Sequence, residues 1–312
     1  MTKIVISEFM DTQAVDWLSA RFATVYEPSL AERPRALHAE IADAAALIVR
    51  NRTRVDDRLL AAAARLRVVG RLGVGLDNID VRTCRAHAIE VIPATGANAR
   101  SVAEYVLATA MILLRGAYFS SVAVAQGQWP RAPLCEGREI AGKTLGLVGF
   151  GNTGQAAAQL ARALDVHVLA TDPMLPLESP LWVQAGTHAR SLNDLLAQSD
   201  VVSLHLPLTD ETRGLIGAEQ LARMKPDAIL INTARGDLID ETALAGALRS
   251  GLLGGAALDV FGREPLPAGS PLADAPRLIL TPHIAGVTRE SNERVSSIVA
   301  RRVAEILERS KP

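Results

Sequence analysis

The stretch Thr144-Leu-Gly-Leu-Val-Gly-Phe-Gly-Asn-Thr-Gly154 decides the fold. Its first five residues form an apolar, strand-like run, glycines follow at 149, 151 and 154, and Gln155 to Leu164 continues with helical periodicity. A turn from a parallel strand into a helix explains each glycine. Gly149 permits the tight turn, Gly151 lets a pyrophosphate approach the backbone, and Gly154 lets helix and strand pack closely, with phosphate charge met at the helix N-terminus. The next apolar run, Val166 to Thr171, ends in Asp172-Pro173, so a carboxylate stands 18 residues past Gly154. There it would accept hydrogen bonds from ribose hydroxyls and repel a 2′-phosphate. The expected cofactor is therefore NAD rather than NADP, held by Gly149, Phe150, Gly151, Asn152, Thr153, Gly154 and Asp172.

The same grammar extends in both directions. Downstream, Val201 to Leu204, Ala228 to Asn232, Gly255 to Asp259 and Leu278 to Leu280 bring the second half to six short strands with helices between them, a doubly wound sheet. Upstream, Lys3 to Ser7, Ala46 to Arg50, Arg67 to Arg71 and Ile89 to Pro93 are separated by amphipathic segments such as Val55 to Leu66. The rhythm breaks at Ala94 to Ala99. A long apolar helix is expected next, from about Ser101 to Gln126, with Ser101 as its cap and Glu104 three residues on. The last helix, Thr288 to Arg309, has no strand after it and is free to pack back on the first domain. The expected architecture is α/β, two Rossmann-like doubly wound parallel-sheet domains. Residues 1–98 plus 287–312 form a flavodoxin-like substrate domain completed by the C-terminal helix, and residues 99–286 form an NAD-binding domain that includes the long helix and an arm, 101–135.

Composition narrows the function classes. The 312 residues suffice for two domains at ~150 each. Lys plus Arg (33) balances Asp plus Glu (34), so no global positive field exists for a nucleic acid or an anionic lipid surface. Apolar residues reach 49% with only 4% aromatics, a balance suited to helices packed on parallel strands. Cys84 and Cys135 lack metal-binding or disulfide spacing, and His38, His87, His167 and His188 have no partners at ligand spacing, so no metal site is expected. Met1 to Ser7 runs straight into a strand without an apolar signal region, and no apolar stretch reaches ~18 residues. A cytoplasmic protein without membrane or nucleic-acid partners is expected.

Three strand ends carry polar residues that a sheet alone does not require. Ile229-Leu-Ile-Asn-Thr-Ala-Arg-Gly236 stops at Arg235, Ala257-Leu-Asp-Val-Phe-Gly-Arg-Glu-Pro265 places Glu264 after a second strand, and Leu278-Ile-Leu-Thr-Pro-His-Ile-Ala-Gly286 places His283 after a third. Ligands of open α/β sheets bind beyond the carboxyl ends of strands, so the three are expected in one crevice. Their chemistry is complementary. Reducing a 2-oxo acid needs a cation for the carboxylate and carbonyl, an acid for the new alkoxide, and a hydride donor. Arg235 offers a planar fork and His283 a proton, while Glu264 can hold the imidazole in one tautomer and stabilise its charged form.

Over essentially its whole length the chain resembles the D-isomer-specific 2-hydroxyacid dehydrogenases. The matching pieces are Gly70-Arg-Leu-Gly-Val-Gly-Leu-Asp-Asn-Ile-Asp80, Ser101-Val-Ala-Glu104, Gly149 to Gly154, Ser203-Leu-His-Leu-Pro-Leu-Thr209, Asn232-Thr-Ala-Arg-Gly236, Asp259-Val-Phe261 with Glu264-Pro265, and Thr281-Pro-His-Ile-Ala-Gly286. The resemblance implies a catalytic triad of Arg235, Glu264 and His283 and a homodimer formed largely through the long helix after Ala99. It implies that the amides of Val74 and Gly75 grip the substrate carboxylate and that Asp259 contacts the nicotinamide amide. His205 by itself reads as a satisfied core histidine; the motif puts it, with Pro207, Thr209, Thr212, Thr233, Ala234 and Gly286, along the cofactor.

The far end of the substrate is addressed by Leu47-Ile-Val-Arg-Asn-Arg-Thr-Arg54, which delivers Arg50, Asn51 and Arg52 into a loop. In phosphoglycerate dehydrogenases, which this stretch is similar to, the arginine matching Arg50 lies near the distal anion. A second cation at Arg52 suggests a phosphate or sulfonate. With Ile6 to Asp11 and Arg115 to Tyr118, the stretch resembles the (S)-3-sulfolactate dehydrogenase branch. A glyoxylate/hydroxypyruvate reductase, with smaller substrates and no need of Arg52, is the enzymatic alternative. Formate dehydrogenase is disfavoured by Glu264, since a glutamine stands there in that enzyme. A non-enzymatic NAD-sensing corepressor is the remote alternative, disfavoured because the chain shows no disordered partner-binding tail.

Overall fold

The computed structural model describes residues 1–309, and the chain divides into two compact units, Met1–Asn98 with the segment from Val287 onward, and Ala99–Gly286. The first unit runs β1 (Lys3–Ile6), α1 (Thr12–Ser19), β2 (Ala23–Tyr26), α2 (Pro34–Ile41), β3 (Ala46–Val49), α3 (Asp57–Ala61), β4 (Val68–Arg71), α4 (Val81–Ala86) and β5 (Glu90–Pro93). Its five parallel strands lie in the order β2-β1-β3-β4-β5, the flavodoxin-like arrangement. β2 is absent from the sequence expectation for a physical reason. It is an edge strand, exposed to half-buried, and lacks the continuous apolar run of the fully buried β3. The helix expected over Val55 to Leu66 shrinks to α3, because Val55 pairs with Ile79 instead and Asp56 caps the helix by accepting from the Leu59 amide.

The second unit begins with α5 (Ala99–Arg115) and α6 (Ser121–Ala125). It continues through β6 (Thr144–Val148), α7 (Asn152–Arg162), β7 (His167–Thr171), α8 (Pro180–Gln184), β8 (His188–Ala189), α9 (Leu192–Gln198) and β9 (Val201–Leu204). α10 (Ala218–Arg223), β10 (Ile229–Asn232), α11 (Glu241–Arg249), β11 (Gly255–Leu258) and β12 (Leu278–Leu280) complete it. The sheet is parallel, in the order β12-β11-β10-β9-β6-β7-β8, so strand order reverses between β6 and β9. It holds seven strands rather than six; the extra one, β8, is a two-residue edge strand too short to leave a pattern. The long helix expected to reach Gln126 stops at Arg115, where Gly116 adopts a left-handed φ of 68° and a 3-10 turn, Ala117–Ser120, precedes α6. Ser101 lies inside α5 and buried rather than at its cap. α5 packs Val102, Val106 and Leu113 over Leu145, Leu147 and the small residues Ala157, Ala158 and Ala161 of α7.

The final helix, α12 (Arg289–Arg309), belongs to the first unit. Its buried stripe, Val295, Val299, Val303 and Leu307, packs on Ile4, Ile48 and Val68, while Val5, Leu47 and Val49 point to the other face against Leu37, Ile41 and Leu59. Period-two alternation thus feeds two apolar layers. Close approach of α12 requires Gly70 in β4: a Cβ there would lie 2.6 Å from Val299 Cγ1. Gly70→Ala is expected to cost about 1–3 kcal/mol by overpacking, and Val299→Ala in the same chain to recover part of it, read by thermal unfolding of the single and double variants; a neutral single variant would contradict the packing.

Candidate active site

The glycine turn is built as its sequence demands. Gly149 has a φ of 96°, and a Cβ there would stand 2.5 Å from the His205 carbonyl oxygen; a Cβ on Gly154 would stand 2.4 Å from the Gly149 carbonyl oxygen. Gly151 is different: nothing lies within 4 Å of where its Cβ would be. It is the N-cap of α7 and supplies no side chain to the first amides of the helix, at Asn152, Thr153 and Gly154. An open backbone face at a helix N-terminus is what a pyrophosphate requires. Asp172 accepts from the Phe150 amide through Oδ2 at 2.8 Å and from the Met174 amide through Oδ1 at 2.9 Å, which fixes the carboxylate at the end of β7 with one lone pair on each oxygen still available.

Two buried polar atoms stand beside this turn without a hydrogen-bond partner among the described residues: His205 Nε2 and Thr233 Oγ1. Register pairs Leu204 with Asn232 and with Val148, so Gly149, His205 and Thr233 leave three neighbouring strand ends side by side. His205 is therefore not the satisfied core histidine expected from sequence. Burial pushes its imidazole down to about 4, so it is neutral at physiological pH. Orphaned polar atoms at the point of strand-order reversal, an open glycine and a fixed carboxylate together fit a dinucleotide. Pro207, Thr209 and Thr212 form a self-contained loop in which Thr212 Oγ1 donates to the Pro207 carbonyl at 2.8 Å and accepts from the Thr209 amide at 2.7 Å. The Ala234 amide donates to Asn232 Oδ1 and Asn232 Nδ2 to the Arg235 carbonyl, shaping the turn after β10.

Arg235, Glu264 and His283 follow β10, β11 and β12, three adjacent strands. His283 Nδ1 meets Glu264 Oε2 at 2.8 Å, and Glu264 Oε1 accepts from the Phe261 amide at 3.1 Å. With Nδ1–H donating to the carboxylate, neutral His283 presents its Nε2 lone pair outward. The Arg235 turn abuts the same segment, since a Cβ on Gly236 would collide with the Phe261 backbone, and the guanidinium donates to the Ala234 carbonyl. His283 itself has a left-handed φ of 55°. Asp259, expected beside the nicotinamide amide, is buried and turned to this loop. Its Oδ1 accepts from Thr281 Oγ1 (2.6 Å) and the Ile284 amide (2.8 Å), and its Oδ2 from the Ala285 amide (2.7 Å). Tyr105 of α5 and Thr281 share a further hydrogen bond of 2.7 Å. Sequence reading gave no role to Tyr105 or Thr281.

In the first unit the amides of Val74 and Gly75 enter no backbone hydrogen bond among the described residues, whereas those of Leu72 and Gly73 before them do. Arg50 is half-buried; its Nη2 donates to Asn292 Oδ1 at 3.0 Å, its guanidinium carbon lies 5.9 Å from the Phe9 ring, and burial holds it below its usual range. Asn51 is exposed. Arg52, expected beside Arg50 at the distal anion, is directed to a surface carboxylate. Its exposed guanidinium is taken by Glu32. Among the described residues no cluster of His, Cys, Asp and Glu could hold a metal ion, and no single helix is long and apolar enough to cross a membrane.

The model of the D-isomer specific 2-hydroxyacid dehydrogenase NAD binding domain matches residues 107–285. An (S)-sulfolactate dehydrogenase of Chromohalobacter salexigens is 52% identical over 307 residues, 98% of this chain and 99% of that one. A D-3-phosphoglycerate dehydrogenase of Mycobacterium leprae is 42% identical over 86% of this chain but only 50% of its own length, so the chain spans about half of that relative. A glyoxylate reductase structure from Paecilomyes thermophila superposes with a TM-score of 0.86 at 29% identity, covering 99% of this chain and 96% of the other. The buried imidazole beside the glycine turn sets a pH signature. Unfolded, His205 takes up a proton below about 6.5, whereas the folded chain resists until about 4, so stability is full above 6.5 and is lost as pH falls through that window. His205→Gln is expected to flatten the fall of Tm between those limits; an unchanged slope would contradict the burial.

Proposed function

The chain belongs to the D-isomer specific 2-hydroxyacid dehydrogenase family, and from that premise we propose that its substrate is a 2-hydroxy acid whose third carbon bears a strong anion, (S)-3-sulfolactate before 3-phosphoglycerate. It is an NAD-dependent enzyme that interconverts 2-hydroxy and 2-oxo acids. NAD supplies the hydride acceptor in oxidation and, reduced, the hydride donor in the reverse direction. Gly149 to Gly154 and the α7 amides would hold its pyrophosphate, Asp172 its ribose, and His205 and Thr233 the atoms next to the strand reversal.

The chain's own groups handle the proton and the substrate charge. Nε2 of neutral His283 accepts the hydroxyl proton during oxidation and returns it to the new alkoxide during reduction. Glu264, at 2.8 Å, keeps the other nitrogen protonated and steadies the imidazolium; this contact is the observation that carries the assignment. Arg235 holds the carboxylate and polarises the C2 carbonyl, and the spare amides of Val74 and Gly75 add donors to the carboxylate. The distal anion is assigned to Arg50, a half-buried guanidinium that meets no carboxylate within ion-pair range among the described residues. The alternative is a glyoxylate/hydroxypyruvate reductase, whose smaller substrates would not need Arg52, here in an exposed pair with Glu32. Residues 1–98 with 287–312 are assigned the substrate and 99–286 the cofactor. Tyr118, Phe119, Val122, Val124 and Trp129, all exposed along the segment after α5, support a homodimer. The unpaired cysteines Cys84 and Cys135 suit a cytoplasmic setting.

A panel of 3-sulfolactate, 3-phosphoglycerate, glycerate and lactate with NAD and NADP, followed by nicotinamide absorbance, is expected to rank 3-sulfolactate with NAD first. Arg50→Ala should lower kcat/KM about 10- to 100-fold more for 3-sulfolactate than for lactate, and His283→Gln should lower kcat about 10²- to 10⁴-fold with NAD affinity within about twofold. Equal losses on both substrates in the first variant would remove the anion assignment. Paired Val122→Asp and Trp129→Ser changes should shift the sedimentation mass from dimer to monomer; an unshifted mass would place the interface elsewhere.

A further inference from the structure

The buried carboxylate of Glu8, just after β1, accepts four consecutive backbone amides. Oε1 takes those of Arg50 (2.8 Å) and Thr53 (2.9 Å), and Oε2 those of Asn51 (3.1 Å) and Arg52 (3.0 Å). From the other side Asn78 Nδ2 donates to the carbonyls of Thr53 (2.7 Å) and Arg50 (3.3 Å), and Ser7 and Thr53 share a hydroxyl contact of 2.9 Å. Asn78 lies in the same loop as Val74 and Gly75, and its own carbonyl accepts from the Val55 amide at 2.8 Å. The Arg50 loop is therefore set by two side chains, and one of them ties it to the loop with the spare amides.

An ionised carboxylate offers about four acceptor sites, and here four amide donors fill them. Glu8 therefore attracts Arg50 through space without forming an ion pair with it. A carboxylate with free lone pairs so near would pair with the guanidinium, as Glu32 does with Arg52. We propose that Glu8 and Asn78 are positioning residues that hold the Arg50 loop at a fixed offset from Val74 and Gly75, so that this enzyme selects substrates by the presence and reach of a second anion on the 2-hydroxy acid. This rests on the assignment of Arg50 to the distal anion. Rigid spacing lowers the ordering cost of binding for the matched dianion and gives nothing to a substrate that lacks the second charge.

The test compares kcat/KM for 3-sulfolactate with that for lactate, the same skeleton without the sulfonate, in wild type, Arg50→Ala, Glu8→Gln and Asn78→Asp. Gln replaces two acceptor sites with N–H groups that face amide donors, and Asp sets a carboxylate against two carbonyls. Each is expected to raise KM for 3-sulfolactate about tenfold or more, with a smaller change in kcat, and to move the substrate ratio toward that of Arg50→Ala. A ratio left at the wild-type value in the folded variants, while Arg50→Ala lowers it, would overturn the positioning role and leave the Arg50 assignment standing. A ratio unmoved by Arg50→Ala would overturn both. If Glu8→Gln does not fold, Asn78→Asp decides alone.

Discussion

Everything at the candidate centre depends on the buried carboxylate of Asp259. His283 adopts a left-handed backbone conformation that a residue with a Cβ avoids unless its surroundings impose it. Asp259 imposes it. Its backbone carbonyl accepts from the His283 amide at 2.8 Å, and its two carboxylate oxygens secure Ile284, Ala285 and Thr281. With the backbone fixed on both sides, the contact with Glu264 orients the imidazole. Tyr105 extends the network to α5, so the helix that packs across the sheet also steadies the histidine loop.

A second buried carboxylate does comparable work in the first unit, where it fixes the loop that carries Arg50 and Arg52. Glu8 spends its acceptor capacity on amides and leaves Arg50 charged, while Arg52 is spent on a surface pair worth little. Two arginines two positions apart in sequence thus have different chemical availability. What separates them is the acceptor each side chain reaches.

The sequence carried the elements with a strong period. β6, β9 and β12 fall on the residues that their apolar runs mark, and both sheets are parallel as the alternation of strand and helix requires. Edge elements were illegible: β2 and β8 are too exposed or too short to show a pattern. The end of α5 at Arg115 was obscured because the apolar composition runs on past Gly116 into segments whose side chains are exposed. At the site, the meeting of Glu264 with His283 was legible because each follows an apolar strand closely, as Arg235 follows a third. Glu8, Asn78, Thr281 and Tyr105 were not, since a side chain that bonds a distant backbone leaves no mark on spacing, and the turning of Asp259 toward its own loop could not be read from its strand-end position.

α12 comes last in the chain yet supplies one wall of the first unit's core, through Val295, Val299, Val303 and Leu307. During synthesis the nascent chain emerges from its N-terminus, so the nucleotide-binding half is complete and able to collapse while the earlier-made half still exposes the apolar face of β1, β3 and β4. Order of manufacture and order of completion are reversed between the halves. Until α12 is made, the apolar face of the first sheet stays bare, waiting for its covering helix.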